Sequence, residues 1–330
     1  MESILDFEKP IQTLEKKIKD LKDLSEDGEM SFRKEAAALE KKLKQLIEET
    51  FQNLSPWQRV QLSRHPARPH TTDYIKLIFE EFTELHGDRH FGDDHAMICG
   101  LAKFEGKSVA VLGIEKGRTT KDKIHYNFGM AKPEGYRKAL RVLKLAGQFH
   151  IPVVVFIDTP GAFPGIDAEE RGQAEAIARA MLETFDVPTP ILAIVIGEGG
   201  SGGALAIGVA DKVFMQEYSV YSVISPESCA SILWSDSSRY EQASEIMKMT
   251  PEQILPLGVI DGIIKEPLGG AHRSFEDAAS EISATLKKEL PLLMKKAPKI
   301  LMEKRKQKFR HMGTDFIEET VKAKNDSFSF

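Results

Sequence analysis

The chain has 330 residues, a formal net charge of −5 at pH 7, 42% hydrophobic residues and 29% charged residues. This composition suits a globular protein with a sizeable core, and the balanced charge argues against nucleic-acid or membrane binding. The only two cysteines, Cys99 and Cys229, exclude a cysteine-based zinc finger and argue against a disulfide-stapled secreted fold. Since no apolar run reaches about 18 residues and residues 1–6 lack a signal-peptide pattern, we expect a soluble, cytoplasmic protein.

The N-terminal segment, residues 1–50, predicts two charged helices. A break at residues 25–28 separates them, and Ser31 is available as the next N-cap. The two helices are therefore predicted to form a helical hairpin, whose apolar seam packs either on the protein's own body or on another subunit. Apolar residues recur at spacings of three and four in both helices: Ile11, Leu14, Ile18, Leu21, Leu39, Leu43 and Leu46.

Residues 56–123 predict a connection, a helix and then two strands. Residues 56–72 are rich in Pro, Arg and His and predict an extended connection, and the pattern over 74–85 predicts a helix. Residues 96–102 and 108–114 predict two strands of a hairpin. The basic stretch 116–123 fits either a loop that contacts an anion or a solvated loop.

From residue 133 onward, strands alternate with helices. The pattern predicts parallel strands with helical crossovers, so the loops after the strands meet at one edge of the sheet, where ligands bind in such folds. The elements are a helix over 133–150, a buried strand over 153–157, a helix and a second buried strand over 191–196. The helix between the strands is predicted to begin at a capping box of Asp167 and Glu170, with its apolar side over 174–185.

The remaining residues predict short strands and a helical tail. The strands cover 212–215, 221–224 and 259–264, and the tail begins at residue 275. Its basic run, 304–310, is predicted to be a solvated helix face, with no specific nucleic-acid site expected.

A glycine-rich run follows the second buried strand. Five glycines in the seven residues 197–203 bring backbone N–H groups close to another group, because side chains would block the approach. Placed before a helix N-terminus, these amides face an anion or a developing negative charge. The loop at 158–165 holds two prolines and two glycines, which predicts a rigid turn that presents the amides of Gly161 and Ala162.

Three chemistries fit the glycine run. The spacing of Gly197, Gly199 and Gly202 matches a dinucleotide fingerprint, with Glu217 near the position of a ribose-binding acid. That fingerprint normally lies in the first βα unit, whereas here it comes late. An oxyanion hole built from backbone amides is a second possibility; it requires no nucleophile, and each donor contributes about 3–4 kcal/mol.

The third possibility is a serine hydrolase. Gly199-x-Ser201-x-Gly203 matches a nucleophile elbow in the right strand–turn–helix context, with Asp261 and His272 following in hydrolase order. His272 nevertheless lies in a glycine-rich stretch that equally suits a surface turn, and Ser201 equally suits a small polar residue that the turn tolerates.

A set of motifs resembles the carboxyltransferase alpha subunit of multi-subunit bacterial acetyl-CoA carboxylase, over roughly residues 5 to 310. The set is highly specific, although Phe163 stands where the family commonly has tyrosine and Ser228 where glycine is usual. The motifs are FIDTPGAFPG at 156–165, AEERGQ at 168–173, GEGGSGGAL at 197–205, YSVISPE at 221–227, CASILW at 229–234, NFGM at 127–130, PEGYRKAL at 133–140 and EPLGGAH at 266–272.

The resemblance implies an α/β fold: a crotonase-like (ClpP/crotonase) spiral of ββα units. It also implies an N-terminal helical hairpin over 1–55, the carboxyltransferase domain over 56–290 and a C-terminal helical extension over 291–330. The oxyanion hole would be formed by Gly202, Gly203 and Ala204 and would hold the biotin ureido oxygen. Substrate-binding positions implied are Gly161, Ala162, Phe163, Gly199, Gly200 and Ser201.

The resemblance also implies the partners. The family transfers a carboxyl group from carboxybiotin, carried on the biotin carboxyl carrier protein, to acetyl-CoA, and the product is malonyl-CoA for fatty acid synthesis. The alpha subunit is active only with a separate beta subunit, and we expect an α2β2 assembly. No biotin is expected to be covalently bound to this chain, no metal is expected on it, and the family's zinc belongs to the beta subunit.

Overall fold

The computed structural model describes residues 4–25 and 30–313. Eight strands form one mixed sheet in the order β1-β2-β3-β4-β5-β6-β8, and β7 pairs with β5. The strands are β1 Glu80–Glu84, β2 Met97–Phe104, β3 Lys107–Ile114, β4 Val153–Thr159, β5 Ile191–Gly200, β6 Lys212–Gln216, β7 Val220–Ser222 and β8 Gly262–Ile264.

Helices pack on both faces of this sheet and at its ends. Their bounds are α1 Lys9–Ser25, α2 Met30–Gln52, α3 Pro56–Ser63, α4 Thr71–Ile78, α5 Thr120–His125, α6 Pro133–Gln148, α7 Ile166–Glu170, α8 Gln173–Thr184, α9 Ser201–Gly208, α10 Pro226–Trp234, α11 Tyr240–Ile246, α12 Pro251–Ile254, α13 Phe275–Met294 and α14 Pro298–His311. Within the described ranges, no helix is both long and apolar enough to cross a membrane.

The sheet separates two apolar cores. In β4, Val153, Val155 and Ile157 pack with α6, α8 and α9 on one face, whereas Val154 and Phe156 pack with α4 and α13 on the other. This alternation follows from the two-residue period of a strand. Because both faces of β4 and β5 are covered, these strands are continuously apolar, as expected for buried parallel strands.

The strand pairing confirms the predicted parallel arrangement. β1, β2 and β3 are antiparallel neighbours, whereas β3 to β6 and β8 run parallel. β5 changes partner along its length: Leu192–Val195 pairs with β6, and Glu198–Gly200 pairs with β7. The loops that follow β4 and β5 therefore lie together at the carboxyl edge of the sheet.

The N-terminal hairpin packs on the protein's own body at its base. Ile11 from α1 and Phe51 from α2 are buried in one cluster with Leu62 and Tyr218 of the body. This is the first of the two predicted alternatives for the seam. Residues 26–28 of the predicted break and the side chain of Ser31 lie outside the described part of the chain.

Two predictions between residues 56 and 85 are wrong. The predicted extended connection contains α3, whose N-terminus is capped reciprocally: the Gln58 N–H donates to Ser55 Oγ at 3.2 Å, and the Ser55 N–H donates to Gln58 Oε1 at 2.8 Å. The helix predicted over 74–85 ends at Ile78, and the chain continues as β1. Pairing with β2 satisfies the backbone there and overrides the helical pattern.

The prediction that the basic run 304–310 is a solvated helix face is wrong for Arg305. Arg305 of α14 is 1% exposed, and its guanidinium donates to Asp211 Oδ2 at 2.7 Å. It also donates to the backbone carbonyls of Thr184, Val187 and Thr189 at 2.7, 3.0 and 2.8 Å. This side chain therefore holds α14 against the end of α8 and the start of β5. Residues 314–330 of the predicted extension lie outside the described residues.

We predict that Arg305→Ala lowers the free energy of unfolding by about 3–5 kcal/mol, because it leaves Asp211 buried without its partner. The exposed neighbour Lys304 offers a control, and Lys304→Ala is expected to change stability by less than about 0.5 kcal/mol. Urea denaturation of the purified chain measures both values. Equal midpoints for the two variants would contradict the anchoring role.

Candidate functional site

Two loops meet in backbone contact at the carboxyl edge of the sheet. One covers residues 160–165 after β4, and the other is the turn from β5 into α9. A Cβ on Gly203 would lie 2.6 Å from the carbonyl carbon of Gly161 and 2.7 Å from the amide nitrogen of Ala162. Side chains do not approach a backbone so closely, so only glycine allows this contact.

The turn between β5 and α9 is equally tight. A Cβ on Gly200 would lie 2.3 Å from the carbonyl oxygen of Pro160. The next residue, Ser201, has φ of 51°, in the left-handed region that a non-glycine residue enters only at a cost in energy. The chain thus passes directly from an extended strand into a helix, which points the first turn of α9 towards the neighbouring loop.

The amides at the start of the first loop differ in their hydrogen bonds. The Gly161 N–H donates to Thr159 Oγ1 at 3.1 Å, and the Phe163 N–H donates to the carbonyl of Ala131 at 3.0 Å. Among the described residues, the Ala162 N–H has no hydrogen-bond acceptor. Of the two amides that the sequence predicts to be presented, the Gly161 amide is therefore bonded within the loop, and the Ala162 amide is not.

The first turn of α9 supplies further donors. The N–H groups of residues 201–203 have no carbonyl four residues earlier within the helix or at its N-cap to accept them, whereas the Ala204 N–H lies four residues after the carbonyl of the N-cap Gly200. They lie at the positive end of the helix dipole, so they favour a negative charge. Together with Ala162, they form a set of backbone donors at the point where the two loops touch.

A cleft of about 500 Å³ opens beside this contact. Of the predicted site residues, Gly161, Ala162, Phe163 and Ser201 line it. Gly202 is half-buried, and Gly203 and Ala204 are buried in the turn beneath. Gly199 and Gly200 instead line a separate cavity of about 30 Å³ beside α10.

The opposite walls of the cleft come from residues to which the sequence patterns assigned no role. Gln173 is one of them: its Nε2 donates to the carbonyls of Ala131 and Phe163, both at 2.9 Å. It thereby fixes the loop that carries Ala162. The motifs that contain several of these residues gave them no place in the site. They come from α7, α8, the segment after β7 and α10: Glu169, Gln173, Ala174, Ile177, Val223, Ile224, Ser225 and Ser228.

Buried charges lie behind the glycine turn. Glu198 of β5 accepts hydrogen bonds from Lys116 Nζ at 2.7 Å and from Arg64 Nε at 2.6 Å. Burial by itself raises the pKa of Glu198, but the charges of Lys116 and Arg64 outweigh it and lower that pKa to about 2. Glu198 is therefore an ionised structural group, and it is unsuited to proton transfer near neutral pH.

The residues of a serine hydrolase triad are not brought together. Ser201 has the strained backbone that a nucleophile elbow needs. Asp261, however, precedes β8 at the opposite edge of the sheet, where it binds Lys308 and the Val213 N–H. His272 forms a 2.9 Å hydrogen bond through Nε2 with Glu8. Neither residue has a contact with Ser201 in the described structure.

Glu217, the acid expected near a dinucleotide, is also engaged elsewhere. Its carboxylate binds Lys265 Nζ at 2.7 Å and the Glu266 N–H at 3.2 Å. Among the fingerprint glycines, Gly197 packs against Asp158 and Gly199 packs against Tyr221, so their spacing reflects close packing within the fold.

A buried cluster of Glu8, His65 and His272 has a composition that could bind a metal ion, with ligand atoms within 4.8 Å of one another. The hydrogen bonds of these residues favour direct contacts between the imidazoles and the Glu8 carboxylate over metal binding. The Ala67 N–H donates to His65 Nδ1 at 3.2 Å, which places the proton of a neutral ring on Nε2, the nitrogen that faces Glu8. The cluster therefore joins the N-terminal segment to the body through imidazole donors and a carboxylate.

The sequence matches one protein family over almost its whole length. A family model described as acetyl co-enzyme A carboxylase carboxyltransferase-like covers residues 4–313. The alpha subunit of acetyl-coenzyme A carboxylase carboxyl transferase from Methylococcus capsulatus is 57% identical over 87% of this chain and 89% of its own length. The subunit of the same name from Geobacter metallireducens is 53% identical over 94% of this chain and 97% of its own length. The chain belongs to this family of biotin-dependent carboxyltransferases.

Solved structures confirm the fold of this carboxyltransferase family member. The beta subunit of geranyl-CoA carboxylase from P. aeruginosa superposes with a TM-score of 0.54 at 16% identity, covering 74% of this chain and 46% of that one. Transcarboxylase 12S with methylmalonyl-coenzyme A bound gives 0.52 at 20% identity, covering 66% and 42%. The chain thus spans less than half the length of these enzymes. The predicted α/β, crotonase-like fold is confirmed.

We predict that Gly203→Ala lowers the free energy of unfolding by about 1–3 kcal/mol, because the new methyl group meets backbone atoms that cannot rotate away. The adjacent glycine is a matched control. A Cβ on Gly202 would meet only the Ile177 side chain at 3.7 Å, so Gly202→Ala should leave stability unchanged or raise it by up to about 1 kcal/mol. Chemical denaturation measures both, and a Gly203→Ala variant as stable as Gly202→Ala would contradict the loop contact.

Proposed function

We propose that this chain is the alpha subunit of an acetyl-CoA carboxylase carboxyltransferase that works with a separate beta subunit. The reaction transfers the carboxyl group from carboxybiotin on the biotin carboxyl carrier protein to acetyl-CoA, and the product is malonyl-CoA. The observation that carries the proposal is the convergence of the Ala162 amide and the first-turn amides of α9 beside an open cleft. The names of relatives at 57% and 53% identity support carboxyl transfer, and the motif resemblance implies the carrier protein and the product.

The cleft suits a small neutral ligand with a polar oxygen. Its volume of about 500 Å³ falls within the usual range for small-molecule sites. Ala174 and Ile177 give part of the wall an apolar surface, and the loop contact places backbone donors at one side. Biotin combines an apolar bicyclic ring with one ureido carbonyl oxygen. Its ring therefore suits the apolar wall, and its oxygen suits the side with the backbone donors.

Backbone donors are the groups that act in this proposal. When bound, carboxybiotin would give its carboxyl group to the methyl carbon of acetyl-CoA, and the proton lost from that carbon would go to the ureido nitrogen. Negative charge would develop on the ureido oxygen in between. The amides of Ala162, Gly202 and Gly203 stabilise an oxygen at this position, because they are fixed in direction before the substrate arrives. The neighbouring Ser201 holds the strained turn and is not required as a nucleophile.

The rim of the cleft supports docking of a partner subunit. Ile166, Val223 and Ile232 are 79%, 76% and 73% exposed, although each is large and apolar. They lie on α7, after β7 and on α10, the elements around or next to the cleft. Exposed apolar groups concentrated around a site mark a protein interface. We place the beta subunit on this rim, where it would close the cleft and bring acetyl-CoA to it.

We predict that Gly203→Ala reduces biotin-dependent carboxyl transfer by at least about 100-fold, since it displaces donors in an oxyanion hole. The assay uses the alpha and beta subunits together, with malonyl-CoA and biocytin as substrates in the reverse direction. Gly92→Ala, a position where a Cβ meets no atom within 4 Å, should retain full activity. Full activity of a folded Gly203→Ala variant would reject the amide assignment.

The serine hydrolase alternative predicts the opposite dependence on Ser201. We expect Ser201→Ala to retain most of the carboxyl transfer activity, and we expect no fluorophosphonate labelling of the isolated chain. Labelling that disappears in Ser201→Ala would favour hydrolysis instead.

We predict that Ile232→Glu prevents co-purification with the beta subunit, because it places a charge in an apolar interface. Phe149 offers a matched control: it is 67% exposed, but it lies between α6 and β4 at the amino edge of the sheet. Phe149→Glu should therefore co-purify normally. Co-purification of the two variants to the same extent would place the beta subunit elsewhere.

A further inference from the structure

Lys116 joins the ends of the two strands that carry the site. It lies two residues beyond β3, and its Nζ is 2.7 Å from Asp158 Oδ1 and 2.7 Å from Glu198 Oε2. Asp158 is the penultimate residue of β4, and Glu198 is two residues from the end of β5. A single ammonium group therefore crosslinks the positions from which both site loops depart. We call this set of three residues the Lys116 bridge.

The bridge is buried, and each of its three side chains has a polar partner. The side chains of Lys116, Asp158 and Glu198 are 16%, 3% and 11% exposed. Asp158 Oδ1 also accepts the Glu198 N–H at 2.9 Å, and Arg64 completes the environment of Glu198. Burial lowers the pKa of Lys116, but the charges of Asp158 and Glu198 outweigh it and raise that pKa, so the side chain is cationic.

Without the ammonium, two buried carboxylates would face each other. Both oxygens lie 2.7 Å from the same nitrogen, so their separation is short and their repulsion in a water-poor environment is strong. Removing one partner from such a buried set costs far more than removing an exposed ion pair. The strand ends would move apart, and the loops would move with them.

The loops tolerate little movement. Ala162 follows Asp158 by four residues, and Gly203 follows Glu198 by five. Their backbones are in contact at distances that leave no room for a Cβ. A shift of about 1 Å between reacting groups costs up to about 100-fold in rate.

We propose that Lys116 is a positioning residue that sets the spacing between the two loops whose amides form the oxyanion hole. This proposal rests on the function proposed above. Lys116 also borders a cavity of about 250 Å³ next to Arg64 and Phe128. Its ammonium is already bound by two carboxylates, so it acts through the strand ends and does not bind substrate.

The first test compares kinetic constants of the alpha–beta complex. Lys116→Met should lower kcat by about 10–100-fold, because the amides are misplaced, and should leave the KM for the acyl-CoA within about twofold. Lys116→Arg, which restores the charge and has the neighbouring cavity for its extra length, should recover most of kcat. The control is Lys103→Met, which removes an exposed lysine paired with Glu81, and it should have no effect. A raised KM with unchanged kcat would overturn the proposal in favour of a substrate contact.

The second test is a double-mutant cycle with Glu198→Gln. If Lys116 separates two carboxylates, removing one of them should make Lys116→Met less harmful, so the double variant should be at least as active as Lys116→Met alone. The same fold loss of kcat in both backgrounds would contradict the bridge.

A readout without activity separates this proposal from the proposed function. Amide hydrogen exchange of the isolated chain should accelerate in residues 160–165 and 201–204 in Lys116→Met, with Lys103→Met unchanged. Faster exchange combined with an inactive wild-type complex would reject the carboxyltransfer assignment and retain the bridge. Unchanged exchange in these two loops would reject the bridge, whatever the activity.

Discussion

The candidate site depends on one packing constraint, the backbone contact between the loop after β4 and the turn into α9. Gly203 lies against the Gly161 and Ala162 backbone, and Gly200 lies against the Pro160 carbonyl, at distances that no side chain permits. The contact brings the Ala162 amide to the first turn of α9, so donors from two different loops converge. A site built from amides in this way has fixed geometry before a ligand binds, which is the condition for stabilising a transient negative charge.

Buried charge pairs hold β4 and β5, the strands that lead to this contact. Lys116 connects the ends of β4 and β5, and Arg305 fixes α14 against the start of β5. Arg68, fully buried, binds Glu266 and donates to the carbonyl of Ile196 in β5 at 2.6 Å. Each pair joins parts of the chain that are distant in sequence. Such pairs add little net stability compared with apolar packing, but they disfavour other arrangements, because a misplaced chain would leave a buried charge unpaired.

The local patterns predicted those elements whose own periodicity is strong. The helix over 133–150 and the strands at 153–157 and 191–196 are confirmed as α6, β4 and β5, since long apolar patterns leave little choice. The helix predicted over 74–85 is wrong beyond Ile78, because its backbone pairs with β2, about 20 residues further along the chain. The segment after residue 55 was predicted to be extended because prolines dominated the pattern, yet Pro56 occupies the first turn of α3, where proline is favoured.

The pattern of residues along the chain was enough to show that two glycine-bearing loops follow two buried parallel strands, and its motifs identified the family. It could not decide which amides are free. Gly161 bonds to Thr159 and Ala162 does not, and this difference arises only when the loop closes on itself. Nor could it assign a role to Lys116. In the sequence this residue looks like any solvated lysine, and its carboxylate partners come close only when β3, β4 and β5 pair. Glycine spacing is a local property of the sequence, and it shows where another backbone must come close. The partners of a charge or an amide depend on segments far away in the chain, so only the tertiary structure determines them.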